Sequence, residues 1–130
     1  MNSDEIVNTL TLKIKDTSWY NVLRWFLISR EFKEIIDILL EFKKENRSFT
    51  PAVKDFFNPF KISDYNKLKV VFLFDSPYKK LGWSNGIPIA CPNTNRKTPQ
   101  FKFLEDAVNR KLPRDISDLG NGEVLLLNVS

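Results

Sequence analysis

The residues with the most useful side chains for chemistry follow an apolar run near the middle of the chain. Asp75, Ser76 and Tyr78 come directly after the run that ends at Phe74. The sequence contains no His, which removes the commonest general acid/base, the Ser/Cys–His nucleophile systems and nearly every zinc-site pattern. Any chemistry must therefore use carboxylates, lysines or tyrosines. Ser76, without a His partner, has no useful basicity at neutral pH.

Length and composition predict one small globular domain over residues 1–130. The 130 residues are 42% hydrophobic, enough to bury a core. The single Cys91 cannot form an internal disulfide, and neither a signal peptide nor a membrane span stands out, so we expect a soluble, intracellular protein. Whether it resides in the nucleus or the cytoplasm stays open. The net charge of +4 would favour a polyanion only if the basic residues gathered on one face.

The first half of the chain reads as one short strand followed by helices. Alternation over residues 8–14 predicts a half-exposed strand, and apolar residues at helical spacing predict two amphipathic helices, one beginning after Ser18 and one from Phe32 to Leu40. Thr50-Pro51 predicts the start of a third helix that ends near Asn58-Pro59. The run from Lys69 to Phe74 predicts a central parallel strand buried on both faces.

The second half alternates strands with a helix. We expect a strand over Ile87–Cys91, a helix from Pro99 to Arg110 capped by Thr98, and a last strand over Val124–Asn128. Strands separated by helices indicate an α/β fold with a parallel sheet. The four glycines match neither a dinucleotide-binding nor a phosphate-loop spacing.

Two segments resemble the family-1 uracil-DNA glycosylases. The family's conserved pattern is Gly-Gln-Asp-Pro-Tyr-His, then a Gly, then Asn/His-Gly before Leu-Ala-Phe-Ser-Val. The matching segment of this chain has no gap and extends from Phe74-Asp-Ser-Pro-Tyr78 through Gly82 and Asn85-Gly86 to Pro92. The second ungapped match covers Asp115-Ile-Ser117 through Val124-Leu-Leu-Leu-Asn128, whose end is similar to the family's Val-Leu-Leu-Leu-Asn strand. The resemblance implies a three-layer αβα fold with a short central parallel sheet, lacking the family's C-terminal part.

The resemblance assigns a base pocket that flipped-out uracil would occupy. Its residues would be Ser76, Tyr78, Ile89 and Asn128. Tyr78 and Asn128 keep the family's residue types, for excluding a methyl group and for reading the uracil edge. Ser76 replaces the water-handling Asp, and Ile89 replaces the Phe that stacks on the base. No catalytic residue is assigned with certainty.

Asp75 is the one candidate for a replacement general base, one position before the family's Asp. Neighbouring residues on a strand point to opposite faces, so Asp75 would need a local bulge to reach the water. Lys79, Lys80, Arg96 and Lys97 are expected to contact the DNA backbone, although ordinary solvated charge is the alternative. The resemblance implies no metal and no cofactor.

The family's later His-Pro-Ser-Pro loop and its fourth strand have no counterpart in this sequence. We therefore expect the edge of the strand Val124–Asn128 to need a protein partner or a second copy of the chain.

The leading hypothesis is a non-catalytic DNA-binding or scaffolding subunit of a larger complex, with the poxvirus glycosylase-like subunits of a replication factor as precedent. The alternative is a weak or altered-specificity uracil-DNA glycosylase that uses Asp75, with Tyr78 and Asn128 in base recognition. A third hypothesis is a structural subunit without nucleic-acid contact.

Overall fold

A computed structural model describes residues 1–92 and 97–129. The chain forms two compact units, Met1–Phe49 and Thr50–Ser130, and each is described by itself. The expectation of a single domain stays a prediction. Within the described residues, no helix has the length and apolar character needed to cross a membrane.

The first unit consists of three helices, α1 (Ser3–Ile14), α2 (Tyr20–Leu27) and α3 (Arg30–Lys44). The strand predicted over residues 8–14 is wrong, because those residues complete α1. Asn2 and Glu5 form a reciprocal capping box that starts this helix. Leu10 and Ile14 are buried at helical spacing, whereas Leu12, which completed the apparent alternation, is exposed. Leu10 and Ile14 are four residues apart and lie on one face of the helix, and the exposed Leu12 between them produced the apparent alternation.

The two amphipathic helices predicted after α1 are confirmed as α2 and α3. Trp19 rather than Ser18 occupies the cap position of α2, and no side chain caps it. Ser29 caps α3 by accepting from the Phe32 amide. Phe32 and Ile36 are buried, so the core face of α3 is as expected.

The second unit begins with irregular chain and short helical turns. The helix predicted from Thr50-Pro51 is wrong: Ala52 is extended, a single 3-10 turn covers Val53–Asp55, and α4 runs over Asn58–Ile62. Pro59, expected to end a helix, instead lies in the first turn of α4. A proline suits that position because the first turn has no intrahelical partner for its amide.

The sheet of the second unit pairs β1 (Val70–Phe74) with β2 (Val124–Asn128) in parallel. Both strands were predicted, and the α/β class is confirmed. The expectation that β1 is central and buried on both faces is wrong. Among the described residues β1 pairs with β2 alone, and its side chains from Val70 to Leu73 are 41–67% exposed. β2 carries the core side of the sheet, with Leu125 and Leu126 buried.

The strand predicted over Ile87–Cys91 is also wrong. These residues are mostly buried, as a strand's would be, but their backbone turns: Ile89 has a positive φ of 55°, and the Cys91 amide donates to the Arg114 carbonyl at 2.8 Å. The apolar run therefore marks the core and not a strand.

The helix predicted from Pro99 is confirmed as α5 (Pro99–Val108), with Thr98 accepting from the Phe101 amide. It ends two residues before Arg110, because Asn109 adopts the left-handed conformation that terminates helices. The core of this unit groups buried side chains from the 87–91 turn, α5, the segment after it and β2, namely Ile87, Ala90, Cys91, Phe101, Leu104, Leu112, Ile116, Leu119 and Leu126.

Candidate active site

The two segments that carry the family resemblance meet at one edge of the sheet. β1 and β2 are parallel with Phe74 opposite Asn128, and the Val129 amide donates to the Phe74 carbonyl at 2.8 Å. The loop that begins at Asp75 therefore leaves the sheet beside Asn128. In open α/β sheets, ligands bind outside the carboxyl ends of parallel strands. The register places Asn128 and the start of the 75–78 loop at such an edge.

Asn128 has an unusual polar atom at this edge. Its side-chain Oδ1 is buried and has no hydrogen-bond partner within the part of the chain that the structure describes. Leaving a buried acceptor unpaired costs roughly 1–3 kcal/mol, so such a group calls for a specific explanation. A ligand with a donor group would satisfy this amide.

Asp75 and Ser76 are both exposed at the start of the loop. The chain bends at Asp75, directly after the last residue of β1. The strand geometry therefore stops at Phe74, and a role for Asp75 at the water site stays a prediction. The chain has no His that could activate the Ser76 hydroxyl.

Tyr78 is half-buried, and its hydroxyl is bound at both sides. The hydroxyl lies 3.0 Å from the Ile89 carbonyl oxygen and 2.9 Å from Thr98 Oγ1. Its ring meets Trp83 edge to face, with the centroids 5.9 Å apart. Burial raises the pKa of Tyr78, and the hydrogen bond from Thr98 partly opposes that rise. Tyr78 is therefore neutral at physiological pH and held in one orientation.

Ile89 supplies the carbonyl that Tyr78 binds, and it does so in a strained conformation. A β-branched residue with positive φ is a rare outlier, and the left-handed region costs an L-residue roughly 1–2 kcal/mol. Its half-buried side chain packs against the core of the unit. The residue keeps an apolar contact at the family's stacking position but offers no aromatic face.

Sequence reasoning missed the contacts that hold the loop between Tyr78 and Ile89. Asn58 Nδ2 donates to the Asn85 carbonyl at 2.7 Å and to Asp55 Oδ1 at 3.1 Å. Gly86 follows with φ 87° and lies directly against the Asp55 backbone. The Asn85-Gly86 dipeptide is a recognised turn signal, but nothing in the local sequence marks Asn58, 27 residues earlier, as its hydrogen-bond partner.

The predicted DNA-backbone residues have different surroundings. Lys79 and Lys80 are exposed, and Lys80 Nζ lies 4.9 Å from the Trp83 ring centroid. Arg96 lies outside the described residues. The Lys97 ammonium lies 2.7 Å from Glu105 Oε2 and donates to the Leu112 carbonyl at 3.3 Å. A phosphate contact by Lys97 stays a prediction, and it would have to compete with these two bonds.

Glu105 is a buried carboxylate that the amphipathic pattern of α5 did not reveal. Its Oε2 accepts from Lys97 and, at 2.7 Å, from the Leu112 amide. The hydrogen bond from Lys97 lowers the pKa of Glu105, and the Leu112 amide contributes in the same direction. Glu105 therefore links Lys97, just before α5, to Leu112 in the segment after α5. Within the described residues, no group of three or more His, Cys, Asp or Glu side chains forms a metal site.

Comparison with known proteins identifies relatives of one kind. No family model matches the chain. The uracil-DNA glycosylase of Campylobacter fetus subsp. fetus is 30% identical over 130 residues, which cover 95% of this chain and 55% of the relative. Those of Campylobacter hominis and Acinetobacter baylyi are 29% and 28% identical, covering 88% and 87% of this chain.

The chain spans about half the length of the curated relatives it matches. The match covers most of the chain. The chain is therefore a divergent relative of the uracil-DNA glycosylases over most of its own length.

Proposed function

We propose that the chain binds uracil in DNA at the carboxyl edge of its sheet and hydrolyses the N-glycosidic bond slowly, with Asp75 as the general base. The observation that carries this proposal is the buried, unpartnered Oδ1 of Asn128 beside the start of the 75–78 loop. An amide side chain presents both a donor and an acceptor, which suits the edge of a uracil ring. The relatives' names support uracil-DNA as the substrate.

The reaction needs one proton transfer from water. Asp75 accepts a proton as the water oxygen bonds to C1′ of the deoxyribose, while the bond between C1′ and N1 breaks and its electron pair leaves on the uracil. Asn128 holds the edge of the base, and Tyr78 forms the wall of the pocket. Because Ile89 cannot stack as an aromatic ring would, base affinity is expected to be low.

Replacing Asp75 with Asn is expected to lower the rate of uracil excision by roughly 10²–10⁴-fold, the usual contribution of a positioned general base. The measurement is single-turnover cleavage of a single-stranded oligonucleotide with one uracil, followed by alkaline scission of abasic sites. Ser76→Ala is the matched control, since the Ser76 hydroxyl has no basic role and the rate should change less than threefold. Equal rates in wild type and Asp75→Asn would assign the proton transfer to another group.

The non-catalytic reading, a DNA-binding or scaffolding subunit, gives a different outcome in the same experiment. It predicts no excision by any variant, together with salt-dependent binding to the oligonucleotide through Lys79 and Lys80. The backbone bend at Asp75 supports the catalytic reading, because a residue outside the strand does not have to follow the alternation of side chains between the two faces.

We also propose that β1 associates with β1 of a second copy. Its apolar side chains are exposed, and its second edge is unpaired within the described residues. Lys69 precedes the strand and Asp75 follows it, so two copies paired antiparallel about Phe72 would place opposite charges across from each other. The earlier expectation placed the associating edge on Val124–Asn128, but the side chains of β1 are the more exposed.

Phe72→Lys is expected to convert such a dimer to a monomer, because the two-fold symmetry brings both introduced charges together in an apolar contact. Light scattering should then give the chain mass of 15.2 kDa in place of twice that value. Phe103→Lys, at an exposed position of α5, is the control and should leave the mass unchanged. A wild-type chain that is monomeric at every concentration tested contradicts the proposal.

A further inference from the structure

Three hydrogen bonds connect the start of α5 to the proposed base pocket. The Phe101 amide donates to Thr98 Oγ1 at 3.2 Å, Thr98 Oγ1 lies 2.9 Å from the Tyr78 hydroxyl oxygen, and that oxygen lies 3.0 Å from the Ile89 carbonyl. Thr98 is therefore both the cap of the helix and the side-chain partner of Tyr78.

Donor capacity fixes the direction of this chain of bonds. A carbonyl oxygen only accepts, so the single hydroxyl proton of Tyr78 points at Ile89. The proton between Tyr78 and Thr98 must then come from Thr98. The Thr98 oxygen accepts from Phe101 while its own proton goes to Tyr78. Each hydroxyl has one donor role and one acceptor role, so without the Thr98 proton the Tyr78 hydroxyl can keep only one of its two bonds.

The backbone that carries Thr98 is itself held in place. The neighbouring Lys97 binds the buried Glu105, which lies eight residues further along the chain in α5, and also the Leu112 carbonyl. Glu105 accepts from the Leu112 amide as well. Thr98 thus lies between a capped helix and a buried ion pair, which makes it a rigid support for a side chain.

We propose that Thr98 is a positioning residue that fixes the Tyr78 ring and thereby sets how well the pocket discriminates uracil from thymine. The inference rests on the proposed function, because it takes Tyr78 as the wall of the base pocket. Uracil and thymine differ by one methyl group, and pockets discriminate a single methylene-sized group by roughly 10–200-fold. A ring whose hydroxyl keeps only one of its two bonds can swing away from the methyl position.

Three substitutions separate this role from helix capping. Thr98→Ser keeps both the cap and the donor, Thr98→Asp keeps the cap but has no proton to donate, and Thr98→Val loses both. The binding readout is the ratio of dissociation constants for single-stranded oligonucleotides that carry one uracil or one thymine in its place, measured by fluorescence anisotropy. The spectroscopic readout is the Cζ resonance of Tyr78 in 13C-tyrosine-labelled protein, assigned with Tyr78→Phe.

Thr98→Ser is expected to match wild type in both readouts. Thr98→Asp and Thr98→Val are expected to lower the uracil preference by roughly 10-fold or more and to shift the Tyr78 resonance. Thr98→Val should also raise the pKa of Tyr78 further, since the lost donor stabilised the phenolate. An unchanged resonance, or an unchanged preference, in Thr98→Asp would overturn the inference. A wild-type chain that excises no uracil while the resonance shifts as expected would overturn the glycosylase proposal and leave the hold of Thr98 on Tyr78 standing.

Discussion

The Ser76→Asp variant is expected to excise uracil roughly 10²–10⁴-fold faster than the wild-type chain, the range that a positioned general base contributes. Ser76 occupies the position of the water-handling Asp in the family pattern, and it is exposed at the carboxyl edge of the sheet. An Asp at this position is ionised at neutral pH.

Ser76→Asn is the matched control, because it has nearly the shape of Asp and no basic group. It should excise uracil no faster than wild type in the same single-turnover assay. If the Asp and Asn variants react equally, a carboxylate at position 76 does not reach the attacking water, and the proton transfer would rest on Asp75 alone.

Gly86→Ala is expected to destabilise the fold by about 3 kcal/mol or more, a large part of the 5–15 kcal/mol that stabilises a typical domain. A Cβ at this position would overlap the carbonyl oxygen of Asp55. That oxygen belongs to the backbone, so it cannot move aside as the end of a flexible side chain could. The positive φ of 87° adds the strain of any L-residue in that conformation. The Asn58 bond to the Asn85 carbonyl would be lost as the turn moves.

Gly82→Ala separates these two costs. Gly82 has a similar φ of 79°, but nothing lies within 4 Å of the added Cβ. Its substitution should cost only the conformational strain, about 1 kcal/mol. Urea unfolding followed by circular dichroism measures both. Equal stabilities for the two variants would mean that the 84–87 turn does not rest on Asp55.

The sequence predicted best the parts of the fold whose signals are local and strong. The β1 and β2 runs, and α5 between Thr98 and Asn109, carry caps or dense apolar patterns that survive in the structure. The positions of Tyr78 and Asn128 followed from the family resemblance. Their meeting at one edge follows from the parallel register that pairs Phe74 with Asn128.

Predictions failed where one residue pattern fits two structures. Over residues 8–14 the alternation of Leu10, Leu12 and Ile14 also fits a helix that exposes its middle residue, and the capping box at Asn2 favoured the helix. Over Ile87–Cys91 a buried apolar run fits a strand or a packed turn. The positive φ of Ile89 is incompatible with a strand and belongs to the turn. Tertiary contacts set such backbone strain, and no local sequence pattern shows them.

Long-range polar contacts of the candidate site were beyond the reach of sequence patterns. Asn58 meets the Asn85 carbonyl across 27 residues, and Glu105 meets the Leu112 amide from a helix whose charged positions look solvated. The exposure of β1 was also missed. An apolar run indicates that a strand favours burial, but other elements must supply the residues that cover it, and the run itself does not show whether they do.

The most direct test of the central claim is to measure release of free uracil by the wild-type chain, in excess over single-stranded oligonucleotides that carry one uracil or one thymine at the same place. The account predicts slow release of uracil, no release of thymine, and loss of uracil release in Asp75→Asn at unchanged circular dichroism. A folded wild-type chain that binds the oligonucleotide yet releases no uracil would contradict the account.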